Sequence, residues 1–485
     1  MVRIFEIPEI LCLICEQVPK YELAELLSTS RSFFDCAAPL LWETLPQSAP
    51  LILIKLLPNG DSYLKHDHNT IVENIQPLDS QSLVRFNFYS PYVKKISPNK
   101  WLPDGQWNVM WYRLFRLIKT RPILPKLQVL GISLARLGDG TLRDPFTWLS
   151  ALLSPSLVEI DDIRDRYAHI PMGPQSLCSF ISNAAQRCPR IYSLSLNNVA
   201  RYEPDPSFGT RIASPFSQLR YLRILVLEGV VLEPQLFTAL SSLSSLKSLA
   251  LEEADNVNFM IQPKRFIPHD FPAVQYLELT LKSQANIIKF MEAICKFSPL
   301  VNRLSLKCTT RSEALLSPEL FSVLSQLPLQ QLTLRLHDHD CAPLNSEQFA
   351  RTFPALEYLH IYGYIFTFRD FTFIAKHMPQ LRQLLSMVRV GANQGWPSIN
   401  ELSSLTLSPS PSQLYFYLLP IPLSTGRGAL PPSRVSKREV AAIAAGLHAL
   451  WPRCCVVGKN IRCPVPVDKI NVALNRLRES DGHGN

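Results

Sequence analysis

Glycine is scarce: 17 of 485 residues, about half the usual ~7%. Phosphate-cradling loops need glycine where the backbone approaches a ligand, and no G-x-x-x-x-G-K-S/T, G-x-G-x-x-G or G-x-S-x-G stretch occurs. The common nucleotide-binding and hydrolase signatures are excluded. Charged residues are also few, 18% against the ~25% of an average soluble domain. Long hydrophobic runs are missing. The longest, Leu414 to Leu423, is about half the ~20 residues of a membrane helix and is broken by Pro420 and Pro422, so no membrane segment is expected. At the start of the chain Glu6, Pro8 and Glu9 interrupt the apolar residues, and no small-residue cleavage site follows, which argues against a signal peptide.

The 11 cysteines are odd in number and lack pair-of-pairs spacing, so neither a disulfide framework nor a zinc ribbon is expected and the chain reads as intracellular. Cys12-x-x-Cys15 falls on an amphipathic helical pattern and reads as two buried small hydrophobes. His66-Asp67-His68 and His337-Asp338-His339-Asp340-Cys341 have adjacent spacing that makes a closed ligand shell hard to build. No metal, no cofactor and no catalytic residue is expected.

Leucine and proline are abundant, 75 and 40 residues. Proline and glycine together are about 12% of the chain, well short of the ~25–30% of low-complexity sequence. With 47% hydrophobic residues there is material for a large core. The net charge of +9 is uneven: residues 1–46 are net acidic, and basic excess lies in 85–126 and in Arg427, Arg434, Lys437, Arg438, Arg453, Lys459 and Arg462. No aromatic-basic nucleic-acid motif accompanies either cluster, so both read as solvated surface.

In the first 46 residues Pro8 suits the first turn of a helix, and Leu11, Ile14, Cys15 and Val18 form one apolar stripe after it. Pro19 closes that helix. A second helix carries Leu23, Leu26 and Leu27, and a third carries Phe33, Phe34, Leu40, Leu41 and Trp42. So short a chain cannot bury this much apolar surface within itself, which implies a partner. The order Ile7-Pro8-x-Ile10-Leu11-x-x-Ile14, Val18-Pro19-x-x-Glu22-Leu23, Thr29-Ser30-Arg31-x-Phe33 and Leu41-Trp42 resembles the F-box motif. The chain departs from that pattern at Ile7, at Thr29-Ser30 and at Phe33, where the family has Leu, Val-Cys and Trp. The resemblance implies docking onto the Skp-family adaptor of an SCF-type cullin-RING ubiquitin ligase. It places Pro8, Ile10, Leu11, Ile14, Leu23, Leu27, Phe33, Leu41 and Trp42 in that contact or in the core supporting it.

Residues 47–120 read as a connecting and capping region. Asn87–Tyr89 and Val93–Ile96 look strand-like there, and Trp107, Trp111, Leu114, Phe115 and Ile118 mark a helix ending near Thr120.

From residue 125 a unit recurs: Pro125-x-Leu127-x-x-Leu130-x-Ile132, then Pro155, Pro189, Pro272, Pro299, Pro354 and Pro379 at the same offset. Copies without proline are Leu222-Leu225-Leu227, Leu246-Leu249-Leu251, Leu329-Leu332-Leu334 and Leu402-Leu405-Leu407. L-x-x-L-x-L at ~20–29 residues per unit is the leucine-rich-repeat signature, one strand and one helix per repeat. Proline after each helix stops it and starts the next strand. The array resembles the irregular leucine-rich repeats that follow an F-box in fungal-type F-box proteins. The expected fold is therefore α/β: a three-helix F-box (1–46), the connecting region (47–120), a curved solenoid of short parallel strands alternating with helices (121–463), and a C-terminal helix and tail (464–485). Residues 197–218 and 252–272 are expected as loops and 425–436 as a linker. Asn198 best matches the family's Asn after a strand. A last unit runs from an Ala-rich helix at Glu439 through Trp451-Pro452 to Val457.

Strand residues alternating with the leucines face away from the helices. Tyr276, Arg303, Lys307, Arg335, Tyr358, His360 and Tyr362 form the candidate recruiting surface, since Tyr and Arg dominate many interfaces. The resulting expectation is a non-catalytic substrate receptor for ubiquitin-dependent degradation, cytoplasmic or nuclear, partnered by a Skp-family adaptor, a cullin and a protein target of unknown identity. The alternatives are a repeat scaffold without ubiquitin transfer and, more weakly, a basic nucleic-acid-binding repeat protein.

Overall fold

A computed structural model describes residues 7–46, 49–57, 83–96, 122–132, 150, 152–162, 174–196, 208–230, 234–253, 271–281, 284–308, 317–336, 344–388, 396–397, 399–405, 407, 409–419, 436–458 and 467–482. They fall into two compact units, Met1–Leu246 with Ala254–Asn258, and Lys247–Glu253 with Phe259–Asn485.

The first unit opens with α1 (Pro8–Gln17), α2 (Lys20–Leu26) and α3 (Arg31–Glu43). Pro8 sits in the first turn of α1, where its missing N–H has no partner to lose. Ser30 caps α3 by accepting from the Phe33 N–H at 3.3 Å. There follow β1 (Thr44–Leu45), α4 (Ala49–Lys55), α5 (Val84–Tyr89), β2 (Lys95–Ile96), β3 (Val129–Ile132) and β4 (Glu159–Asp162). Then come α6 (Pro174–Arg187), β5 (Ser193–Leu196), α7 (Phe208–Gln218), β6 (Ile224–Val230) and α8 (Pro234–Ser241). Strands β1 to β6 pair in chain order, all parallel.

The second unit holds β7 (Ser248–Glu253), β8 (Tyr276–Leu281), α9 (Gln284–Phe297), β9 (Arg303–Cys308), α10 (Pro318–Leu324), β10 (Gln331–Arg335) and α11 (Ser346–Thr352). It continues with β11 (Tyr358–Phe366), α12 (Phe368–His377), β12 (Gln383–Val388), α13 (Ile399–Ser404), β13 (Tyr415–Leu419), α14 (Lys437–Leu450), β14 (Cys455–Gly458) and α15 (Val467–Gly482). Strands β7 to β14 again pair in chain order and in parallel.

One apolar column runs through each ladder in strict register. In the first unit it is Leu45, Ile96, Leu130, Ile160, Leu194 and Leu225. In the second it is Leu249, Leu277, Leu304, Leu332, Leu359, Leu384, Phe416 and Val456. None of these side chains is more than 5% exposed, and each such burial stabilises by about 1.5–3 kcal/mol.

The prolines act one step away from where helix termination alone would put them. Each occupies the second position of a tight turn. The Leu127 N–H returns to the Leu124 carbonyl across Pro125 at 3.2 Å, Ile191 to Cys188 across Pro189 at 3.2 Å, and Leu381 to Met378 across Pro379 at 3.2 Å. Proline's fixed φ suits that position. The proline-free Leu219–Leu222 and Leu243–Leu246 close the same turn, at 3.0 and 3.1 Å.

Four expectations are revised. Asn87–Tyr89 belongs to helix α5, and of the region after it only Lys95–Ile96 is strand. The ladder begins at Thr44, before residue 121, because β1 and β2 are its first rungs. Residues 208–218 form helix α7 and not a loop, burying Ile212 and Phe216, with Pro215 accommodated inside it. Leu402-Leu405-Leu407 is not a strand: α13 covers its start and Leu405 is 44% exposed. The rung is Leu414-Tyr415-Phe416, whose aromatic residues hide it from a leucine pattern. The expected helix at 107–120, Asn198, the linker before Ser436 and the loop residues 197–207 and 254–270 lie outside the described residues.

A bulge in β11 between Ile361 and Ile365 centres on Gly363, at φ +86°. A Cβ there would lie 2.5 Å from the Leu336 carbonyl oxygen. Gly363→Ala is expected to destabilise the chain by about 2 kcal/mol or more, read as a lower urea midpoint at unchanged slope. At the other end, the Asn471 side chain of α15 accepts from the Val456 N–H at 2.9 Å and donates to its carbonyl at 2.7 Å. Arg478 donates to the Pro452 carbonyl at 2.9 Å and to that of Cys454. The outer edge of β14 is thereby covered, which blunts sheet-to-sheet association. Asn471→Ala should cost about 1–3 kcal/mol and raise concentration-dependent self-association in size-exclusion chromatography.

Candidate partner-binding surfaces

The three N-terminal helices already possess a core of Leu11, Cys15, Leu23, Cys36 and Ala37, against which Val18, Leu26, Leu27, Phe33, Leu40 and Leu41 pack. Of the nine residues picked out in the sequence, Leu11 and Leu23 thus hold the helices together. Pro8 is exposed, and Ile10, Ile14, Leu27, Phe33, Leu41 and Trp42 are half-buried. The Trp42 ring stacks on Tyr89 at 4.4 Å, and Phe34 on Phe88 at 5.9 Å. Two residues escaped the sequence reading: Leu13 is 61% exposed and Tyr21 72% exposed. Leu13 stands off the buried stripe of Leu11 and Cys15 and completes a second one, Ile10, Leu13 and Ile14, on another side of α1.

No spacer separates these helices from the ladder. Helix α3 runs directly into β1, the Lys94 N–H donates to the Glu43 carbonyl at 2.9 Å, and the Lys94 Nζ lies 2.9 Å from Glu43 Oε1.

In the second unit all seven candidate residues stand on one face of β8 to β11. Tyr276, Arg303, Gln331, Tyr358, Gln383 and Tyr415 share one register row. Glu278, Ser305, Thr333 and His360 share the next, and Thr280, Lys307, Arg335 and Tyr362 the third. The Tyr276 hydroxyl donates to Glu278 at 2.8 Å. Arg335 reaches the same carboxylate at 3.9 Å and lies 5.8 Å from the Tyr362 ring centre. Glu278 therefore ties two candidates together, a role the sequence reading did not give it. Tyr415, 44% exposed on the same row, was missed because its strand was sought at 402–407. In the first unit the corresponding face is acidic at β4. Burial, then the Glu159 charge, raises the Asp161 carboxyl above its ordinary range, and Glu159 accepts from the Tyr192 hydroxyl at 3.1 Å.

The stacked parallel rungs, the in-register apolar column and the helices described between most successive strands define a leucine-rich-repeat array in both units. No protein-family description and no curated protein matches the chain by sequence. Solved structures similar to it include the leucine-rich-repeat-containing protein LegL7 from Legionella pneumophila, at 14% identity over 72% of this chain and 98% of that one, with a TM-score of 0.35. The yeast Rad7 and Elc1 complex gives 14% identity over 73% and 82%, with a TM-score of 0.36. The TLR13–ssRNA13 complex gives 15% over 77% and 40%, with a TM-score of 0.31.

Among the described residues no helix is long and apolar enough to cross a membrane, and no group of three or more His, Cys, Asp or Glu is placed to hold a metal ion. His66–His68 and His337–Cys341 lie outside them. Cys12 is half-buried and Cys15 fully buried. Burial, with Cys12 beside it, pushes the Cys36 thiol up to about 12. At pH 8 Cys36 is therefore expected to resist iodoacetamide in the native chain and to react only after unfolding, as peptide mass mapping with and without urea would show.

Proposed function

We propose that the chain is a non-catalytic substrate receptor of an SCF-type ubiquitin ligase: its N-terminal helices dock on a Skp-family adaptor, and its repeats hold a protein target near the ligase's charged enzyme. The observation that carries this reading is the second apolar stripe of α1. The helices have filled their own core, yet Leu13 is 61% exposed with the half-buried Ile10 and Ile14 beside it on the same stripe, and Tyr21 is largely exposed. Apolar residues left over after a core is complete suit an interface, and the F-box resemblance, which takes in Ile10 and Ile14 of this stripe, names the adaptor. Transfer would be accelerated by proximity, target lysines being held at high effective concentration. The same surfaces would serve a scaffold without ubiquitin transfer; adaptor capture without cullin recruitment would favour that reading.

The test is co-purification with a Skp-family adaptor. Because β1 is a rung of the ladder, deleting residues 1–46 would disturb the fold as well as the interface, so substitutions on the second stripe, outside the helices' own core, are preferable. The intact chain should capture the adaptor, and Leu13→Asp with Ile14→Asp should weaken capture by roughly tenfold or more with an unchanged circular dichroism spectrum. Absence of capture by the intact chain, or full capture by the variant, would overturn the reading.

A further inference from the structure

We propose that the strand face of β9 to β11 takes an extended acidic segment of a protein target, two neighbouring carboxylates seated over β9 and apolar side chains against β11. This rests on the reading of the repeats as the target-holding surface and supplies the chemistry of what they hold. Arg303, Ser305 and Lys307 occupy alternate positions of β9 and so share one face, the two cations about 13 Å apart. Across β9 and β10 the outer rows carry long side chains, while the middle row carries the short Ser305 and Thr333, only 4% and 6% exposed; on β11 that row carries His360. Long rows beside a short one make a trough over β9 and β10, with the hydroxyl-bearing Ser305 and Thr333 along its floor and His360 at its β11 end.

The charges within the trough are not equivalent. Arg335 already faces Glu278 and the Tyr362 ring, whereas among the described residues Arg303 and Lys307 have no carboxylate partner. An extended chain lying in the trough would turn successive side chains to opposite walls, so adjacent acidic residues would meet Arg303 on one side and Lys307 on the other. Glu278 on β8 would repel an anion seated further that way, fixing the acidic end at β9. Strand β11 lies about 10 Å beyond, roughly three residues of extended chain, and there Tyr358 and Tyr362 present ring faces and edges to apolar groups. A nucleic acid would carry its charge along the whole length, while the free cations stand at one end only.

The probe is a fluorescein-labelled peptide with two adjacent glutamates and, three residues on, two leucines, titrated with the full chain and followed by anisotropy. Binding should weaken as salt rises. It should fall at least tenfold when the glutamates are replaced by glutamine, and also in the Arg303→Glu, Lys307→Glu double variant; Tyr358→Ala should weaken it less. No binding of the peptide, equal binding of the glutamine version, indifference to the double variant, or tighter binding of oligo(U) would each overturn the proposal. Adaptor capture by the same variants separates the two readings. Capture retained with peptide binding absent removes only the target chemistry; peptide binding with no capture removes only the ligase assignment.

Discussion

Everything in this chain depends on the parallel backbone ladder staying in register from rung to rung. A buried backbone N–H or carbonyl without a partner is costly, and parallel strands satisfy theirs only if the chain leaves each rung, crosses by a helix and returns to the same end. The turn before each strand ensures that return. Leu124, Cys188 and Met378 each accept the closing hydrogen bond of such a turn, and the residue three positions on, Leu127, Ile191 or Leu381, is fully buried as the strand begins. Register and burial are therefore one constraint: a slip by a single residue would send the leucine column to solvent and the polar rows into the core.

Much of this is legible in the sequence, because leucine spacing and proline offset are local and repeat. Ten of the central residues named from sequence, Leu130 through Leu384, align in the ladders. The failures have specific causes. Leu402, Leu405 and Leu407 copy the spacing of a rung, but residues 399–404 are helical and the true rung uses Phe416. The first two rungs are two residues long and carry Leu45 and Ile96 alone; the second falls within Val93–Ile96, expected as strand, but neither is long enough to show that it belongs to the ladder. Helix α7 lies in a stretch expected as a loop and holds Pro215 inside it, where tertiary packing of Ile212 and Phe216 prevails over local propensity.

The partner-binding residues were legible in kind more than in role. Motif matching selects Leu11 and Leu23, which turn out to be the interior of the helical unit, and passes over Leu13 and Tyr21, which face outward. Sequence order records which residues a motif requires, but it does not separate those that hold helices together from those that meet another molecule. On the strand face the alternation of side chains was enough to find the surface. The tie between Tyr276, Glu278 and Arg335 needed the fold, because Glu278 and Arg335 are separated by an intervening strand whose Ser305 is small enough to let them meet.

The pairing of Asn471 with the backbone of Val456 also bears on how such a chain can change length over generations. Its contact runs through the Val456 N–H and carbonyl, main-chain groups that every residue type but proline offers. A repeat duplicated or lost anywhere upstream leaves that closing contact intact, whereas growth beyond it would need a new terminator. A change in the number of interior rungs would therefore leave the cover over β14 in place.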